Sequence, residues 1–407
     1  MKKKLFNRSI VYFLIFCLII LGFFWIKTIN LPVRHEIFAS SYSLNITDDL
    51  SDEVNNQLEM LDDGLEDILN DLGEREKSIF DEENFGEKLQ KLISGNQSYN
   101  FAEIMTLIGS LLLDNISGLL PILALITEVA ILSSLLLKLR GKSLNKPLGD
   151  IIHFACFAVV VVTVLTFVLQ LVKLTSSTLA SLKNQMEISF PILLTLMTAL
   201  GASSSVSIYQ PLIAILCGVI MQLFTNILLP IFSFSVIFSI VGNLTSSIKM
   251  SKLNKFLQSL FKYLIGFIFT IFSGFLAVSG IVASGYDGVS IRATKFAIKS
   301  YVPIMGGYLS DGFSIIMASS VLIKNAVGYS GLIIMFLTII SPILKIVLCK
   351  LGLSLVSGII ESVADERVTN FVSGTAKSLS MLSSIILAFS FAYLISVGLI
   401  MCSANVL

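Results

Sequence analysis

The sequence predicts an all-α, polytopic integral membrane bundle with broken or re-entrant helices and interfacial amphipathic helices, preceded by a helical extracytoplasmic segment. Three observations carry this expectation. Of 407 residues, 55% are hydrophobic and only 14% charged, against about 25% charged in a soluble domain. Mean hydropathy is +0.88, and the apolar residues gather into long runs instead of alternating with polar ones. The net charge of +1 also hides a polarity: residues 31 to 100 hold 17 of the 27 acids against 5 of the 28 bases, net −12. Nucleic acid is excluded as a partner because it requires clustered positive charge on a soluble face. The excess base of the rest of the chain belongs near lipid head groups of the bilayer.

Residues 1–30 form a signal peptide or an N-terminal membrane anchor. Lys2, Lys3, Lys4 and Arg8 precede an apolar run from Ile10 to Ile26, longer than the roughly 7 to 15 residues of a signal-peptide core and shorter than the about 20 of a spanning helix. In either case the basic end stays inside and residues 31–105 are carried outward. In that acidic segment Leu50, Val54, Leu58, Leu61, Leu65, Ile68 and Leu72 recur at spacings of three and four, one face of a helix with acids opposite. Gly73 stops it, and a second amphipathic stretch runs from Phe85 to Gly95. This segment either rests on the membrane part or docks an extracytoplasmic partner.

Residues 106–407 form the polytopic membrane domain. Ten apolar runs between residues 116 and 402 give six to eight spans after the leader, since several runs are too short to cross alone. Between 188 and 243 they are interrupted by Pro191, Gly201, Pro211 and Pro230, and Pro303 and Gly306 interrupt a later run, the pattern of discontinuous helices shielded by neighbours. Lys138, Arg140, Lys142 and Lys146 mark one cytoplasmic loop and Lys249, Lys252, Lys255 and Lys262 another, while the orientation after residue 285 stays open. A shift of about 112 residues superimposes Pro191 on Pro303, Lys183 on Lys295 and Pro230 on Pro342, which points to two parallel repeats, about 138–248 and 249–363, or to chance likeness between apolar segments. The stretches 174–187, 245–262, 289–302 and 364–380 carry Lys or Arg on a polar face and are expected in the interface.

Little in the chain supports catalysis. Cys17, Cys156, Cys217, Cys349 and Cys402 are scattered without a C-x-x-C pair, and His35 and His153 have no second ligand at metal-binding spacing, so neither a metal nor another cofactor is expected. No G-x-S-x-G or G-x-x-x-x-G-K-[ST] occurs, and the chain is read as a non-enzyme. The most informative ionisable residue is Asp311, with Ser310 and Gly312 inside an apolar run, because a lone carboxylate in hydrocarbon is expensive. It marks either a substrate, ion or proton path or a structural hydrogen bond. Lys324, 13 residues on, lies too far along one helix to pair with it, whereas Lys345, in another run, is a candidate cross-helix partner. Glu128 and Glu361 are the other acids in or beside apolar runs, and either can instead snorkel to a boundary. Gly201-Ala202-Ser203-Ser204-Ser205 fits close helix packing and a hydroxyl-lined pore equally well.

With these residues in place, the chain resembles the stage III sporulation protein AE family of endospore-forming bacteria over roughly residues 100 to 402. The resemblance rests on Met186-Glu187 with Ser189 and Pro191, on Tyr209-Gln210-Pro211, and on Tyr301-Val302-Pro303-Ile304 through Gly306, Ser310 and Asp311. Lys324-Asn325-Ala326-Val327-Gly328, Ser341-Pro342 and Lys345 extend it. Ile360-Glu361-Ser362 departs from it, since the family tends to carry proline near that point. The resemblance implies a permease-like subunit of the channel or secretion complex linking mother cell and forespore, made in the mother cell and inserted in the outer forespore membrane. It implies as partners the other stage III sporulation AA to AH proteins, including a secretion-type ATPase and ring-forming subunits, with forespore protein Q on the far side. Two alternatives stand beside this reading: a self-sufficient secondary transporter using Asp311, and a non-conducting membrane scaffold.

Overall fold

A computed structural model describes residues 101–139, 146–200, 202–244, 250–301, 306–362 and 365–403. They fall in one of two compact units of the chain, Asn56–Leu407. The leader and the acidic segment up to residue 100 lie outside them, as do Gly201 and Pro303.

The described residues form helices and short turns. In a bilayer this is what the backbone demands, since no water is present to pair a free N–H or C=O. Helix α1 spans Phe101–Leu139 and α2 Lys146–Ala199. Helix α3, Ser203–Ala214, passes into a π-helical segment Ile215–Ile220, the short α4, Met221–Leu223, a second π segment Phe224–Leu228, and α5, Leu229–Leu244. Then come α6, Ser251–Tyr301, α7, Gly306–Ile360, and α8, Glu366–Cys402. Among the described residues six helical stretches are long and apolar enough to cross a membrane, so the chain is an all-α membrane bundle.

The elements are longer than the apolar runs suggest. The run at 151–172 and the first part of the run at 188–208 join through residues 174–187 into α2, 54 residues long, or about 81 Å. Those residues continue one helix, and the other three amphipathic stretches likewise lie wholly or largely in the ends of α6 and α8. Pro191 does not interrupt α2, nor Pro342 α7. Thr195 Oγ1 donates to the Pro191 carbonyl at 2.9 Å, a back-bond to a carbonyl of its own helix. The actual break follows eleven residues later, where Ala202 leaves helical geometry at φ −88°, ψ 42° and its N–H reaches back to the Met197 carbonyl at 3.0 Å. Pro211 lies within α3. Downstream, Met221 N–H donates to the Leu216 carbonyl five residues back. Such π-bulges redirect side chains without ending the helix.

Helix α8 is the centre of the bundle, packing against α7, α5, α2 and α6. Phe371, Leu382, Ile385, Ile386, Phe389 and Tyr393 are buried along it, while Asn370, Lys377, Ser384 and Phe391 leave one narrow stripe exposed. Aromatic pairs join it to its neighbours: Phe157–Phe371 and Phe190–Tyr393 to α2, and Phe224–Phe389 to the second π segment, with ring centroids 5.7–5.8 Å apart. Each such pair contributes about 0.5–1.5 kcal/mol beyond area burial. Its start is fixed by Asp365, whose carboxylate accepts the Arg367 N–H at 2.8 Å, with Glu366 in the first turn. That is an N-cap with an acid near the positive end of the helix dipole.

Helices α7 and α8 approach closely at Gly328, where an added Cβ would lie 2.5 Å from Met401 Sδ and 2.6 Å from its Cγ. Gly328→Ala should therefore lower the melting temperature in detergent through an overpacking penalty of about 1–3 kcal/mol. Gly398→Ala, whose Cβ would meet nothing within 4 Å, should leave it unchanged or raise it, and an equal effect of the two would contradict this packing.

Candidate functional site

The turn at Leu200–Ala202 folds α3 back along α2, and between them lies an open groove of about 750 Å³. Phe190, Leu194 and Thr198 come from α2, Gln210 and Ala214 from α3, and Cys217 from the first π segment. The turn closes one end; Lys183 and Glu187 lie toward the other, their Nζ and Oε1 3.3 Å apart. With side chains 39% and 51% exposed, this is an i,i+4 surface pair worth little to stability. The lining is mainly apolar, because Thr195 and Thr198 return their hydroxyls to carbonyls of their own helix at 2.9 and 3.0 Å. The groove suits an apolar body with a polar end, and no group of three His, Cys, Asp or Glu among the described residues has metal-binding geometry.

Behind its floor, Ser189 and Tyr393 converge on α7 at Gly331, where a Cβ would meet Tyr393 Oη at 3.2 Å and Ser189 Oγ at 3.6 Å. One turn back on α2, Gln185 Nε2 donates to Thr338 Oγ1 at 2.6 Å. A second polar network joins α5, α6 and α8, with Ser235 Oγ donating to Asn254 Oδ1 at 2.5 Å and lying 3.2 Å from Ser378 Oγ. A third closes the far end of α8. There fully buried Lys324 of α7 donates from Nζ to the Ser403 carbonyl, and Tyr209 Oη of α3 lies 2.8 Å from Ser403 Oγ. An ammonium at a helix C-terminus faces the carbonyls that the helix leaves unpaired.

The candidate residues of the sequence are not gathered into one place. Asp311 and Lys345 lie on the same helix, 34 residues apart, or about 51 Å along its axis, so Lys345 is not its cross-helix partner. The continuity of α7 through Pro342 is the reason. Ser310, Asp311 and Gly312 follow Gly306, which opens α7, but their side chains lie outside the described residues. Glu128 is exposed on α1 and Glu361 exposed past the end of α7. Pro191 borders the groove, and Pro211 follows Gln210 beside it. The role of Lys324 is legible only in space, since its acceptor is 79 residues away.

The end of α8 yields a quantitative expectation. Tyr209→Phe and Ser403→Ala should each destabilise the protein by about 0.5–1.5 kcal/mol, the net worth of one hydrogen bond. The double variant should lose less than the sum of the two, because the Tyr209–Ser403 bond is common to both, while Ser403→Ala also removes the bond from Ser403 Oγ to the Leu399 carbonyl. Additive losses in a denaturation cycle would show that the two hydroxyls act separately.

Comparison with known proteins fits this architecture. Residues 83–404 match the family described as stage III sporulation protein AE. A curated relative, "Stage III sporulation protein AE" of Bacillus subtilis (strain 168), is 22% identical over 317 residues, covering 78% of this chain and 79% of the relative. No solved structure matches. The matched span includes every apolar helix described above, and the chain belongs to the stage III sporulation protein AE family.

Proposed function

We propose that the chain is a non-enzymatic, permease-like membrane subunit of the sporulation channel or secretion complex that links mother cell and forespore and sustains late forespore development. Family membership over residues 83–404 ties it to sporulation, and six apolar helices tie it to a membrane. The observation that carries a transport reading furthest is the groove between α2 and α3, where a broken helix pair leaves open volume beside Gln210 and the Lys183–Glu187 pair. In this reading the chain sits in the outer forespore membrane with residues 31–105 extracytoplasmic. Its partners are the other stage III sporulation AA to AH proteins, with the ATPase on the side of Lys138 to Lys146 and forespore protein Q across the gap. Asp311 supplies the intramembrane carboxylate of the path.

A membrane scaffold is the second reading. It is favoured by the close approach at Gly328 and at Gly352, where a Cβ would lie 2.5 Å from Leu123 Cδ1, contacts that serve rigid packing.

In a spore-forming host lacking its own family member, Asp311→Asn and the groove-filling Ala214→Phe should each give far fewer heat-resistant spores than the unaltered chain at equal protein in the membrane. Wild-type spore counts from both variants would remove the path and leave the scaffold.

A further inference from the structure

Helix α6 enters the bundle with one face uncovered. Lys252, Lys255, Phe256, Ser259, Lys262, Tyr263, Gly266, Phe267, Thr270 and Gly274 are all exposed, and their spacing of three and four puts them on one side of the helix. At about 100° per residue, Lys252, Ser259, Gly266 and Thr270 form the middle row. Lys255 and Lys262 flank it on one side and Phe256, Tyr263 and Phe267 on the other, these last 59%, 76% and 64% exposed. The middle row is a shallow channel: a Cβ at Gly266 or Gly274 would meet nothing within 4 Å, and Thr270 Oγ1 is turned back onto the Gly266 carbonyl at 2.8 Å.

The two halves of this face differ in chemistry. The three lysines occupy about 15 Å of helix, and the row from Lys262 to Gly274 continues for about 18 Å, close to the depth of one leaflet of a roughly 30 Å hydrocarbon core. No Asp or Glu occurs between Ser251 and Tyr286. None of the three lysines forms an ion pair among the described residues, where the pair present is Lys183–Glu187. The lysines thus offer positive charge where a lipid phosphate lies, and the stretch from Gly266 to Gly274, bordered on one side by the Tyr263 and Phe267 rings, offers space for an acyl chain below it.

We infer that this face of α6 binds an anionic phospholipid, headgroup on Lys252, Lys255 and Lys262 and one chain along Gly266, Thr270 and Gly274. A basic residue near an anionic surface contributes enough that each lysine lost weakens binding about fivefold, and all three roughly a hundredfold.

The test is native mass spectrometry of the purified full chain in detergent, titrated with phosphatidylglycerol or with phosphatidylcholine of the same acyl chains. Phosphatidylglycerol should be retained preferentially. Lys252→Gln, Lys255→Gln and Lys262→Gln together should abolish that preference, while Lys173→Gln with Lys377→Gln, exposed lysines on other helices, should preserve it. Gly266→Leu, which blocks the row and meets no protein atom, should weaken retention with every charge in place. Equal retention of the two lipids, an unaltered preference in the triple variant, or an unaltered affinity in Gly266→Leu would overturn the assignment. Displacement by inorganic phosphate would reduce the site to a simple anion contact, and displacement by polyglutamate at equal charge would reassign the face to an acidic protein; either would overturn it.

Discussion

The extensive burial of α8 is the constraint from which the rest of the bundle follows. A helix at the edge of a membrane bundle needs one good face and leaves the other to lipid. Helix α8 has α7, α5, α2 and α6 around it and leaves a narrow stripe through Asn370, Lys377, Ser384 and Phe391 exposed, so every side but that stripe must be matched in shape. In lipid the drive to bury apolar area is nearly absent, and close packing with interhelical hydrogen bonds carries association. Glycines where backbones meet, aromatic rings at three levels and hydroxyls bridging helices are the means used here. Phe371 near the start and Tyr393 farther along fix α8 against α2, Phe389 fixes it against the second π segment, and Ser403 at the end meets α3.

The polar side chains of the spans divide into two groups with different consequences. Thr163, Thr166, Thr175 and Thr178 return their hydroxyls to carbonyls four residues back in α2, which hides a polar group in an apolar setting without needing a partner helix. Gln185, Ser235, Asn254, Tyr209 and Lys324 instead reach across to other helices. Those bonds set register, because a slip of one residue along either helix would leave both partners unpaired. The groove between α2 and α3 lies beside the crossing contacts, so a change in the angle at Ala202 would be felt at Ser189 and Tyr393.

Composition and run length predict a helical membrane bundle of six to eight crossings after the leader, because both report the solvent around the chain. Break positions are less legible. Proline at 191 and 342 removes one donor, yet α2 and α7 run on. The break comes at Ala202, beside Gly201, one of four candidate interruptions between 188 and 243 that the sequence does not rank. Partners separated by long stretches of chain were hidden altogether: nothing in the sequence pairs Lys324 with Ser403 or Gln185 with Thr338. The expected pairing of Asp311 with Lys345 failed because two apolar runs were one helix. The resemblance motifs did carry spatial information, for Tyr209 and Lys324, drawn from separate motifs, both meet Ser403.

The most direct test of α8 as the centre is a disulfide between α5 and α8. A Cβ at Gly374 would lie 4.0 Å from Ser239 Cβ, within the roughly 3.5–4.5 Å that a disulfide spans. In a chain stripped of its native cysteines and carrying a protease site between α5 and α6, Ser239→Cys with Gly374→Cys should cross-link on mild oxidation in the membrane and hold the two cleavage fragments together. Ser239→Cys with Gly398→Cys should not. Fragments that separate in the first pair, or stay joined equally in both, would contradict a bundle built around α8.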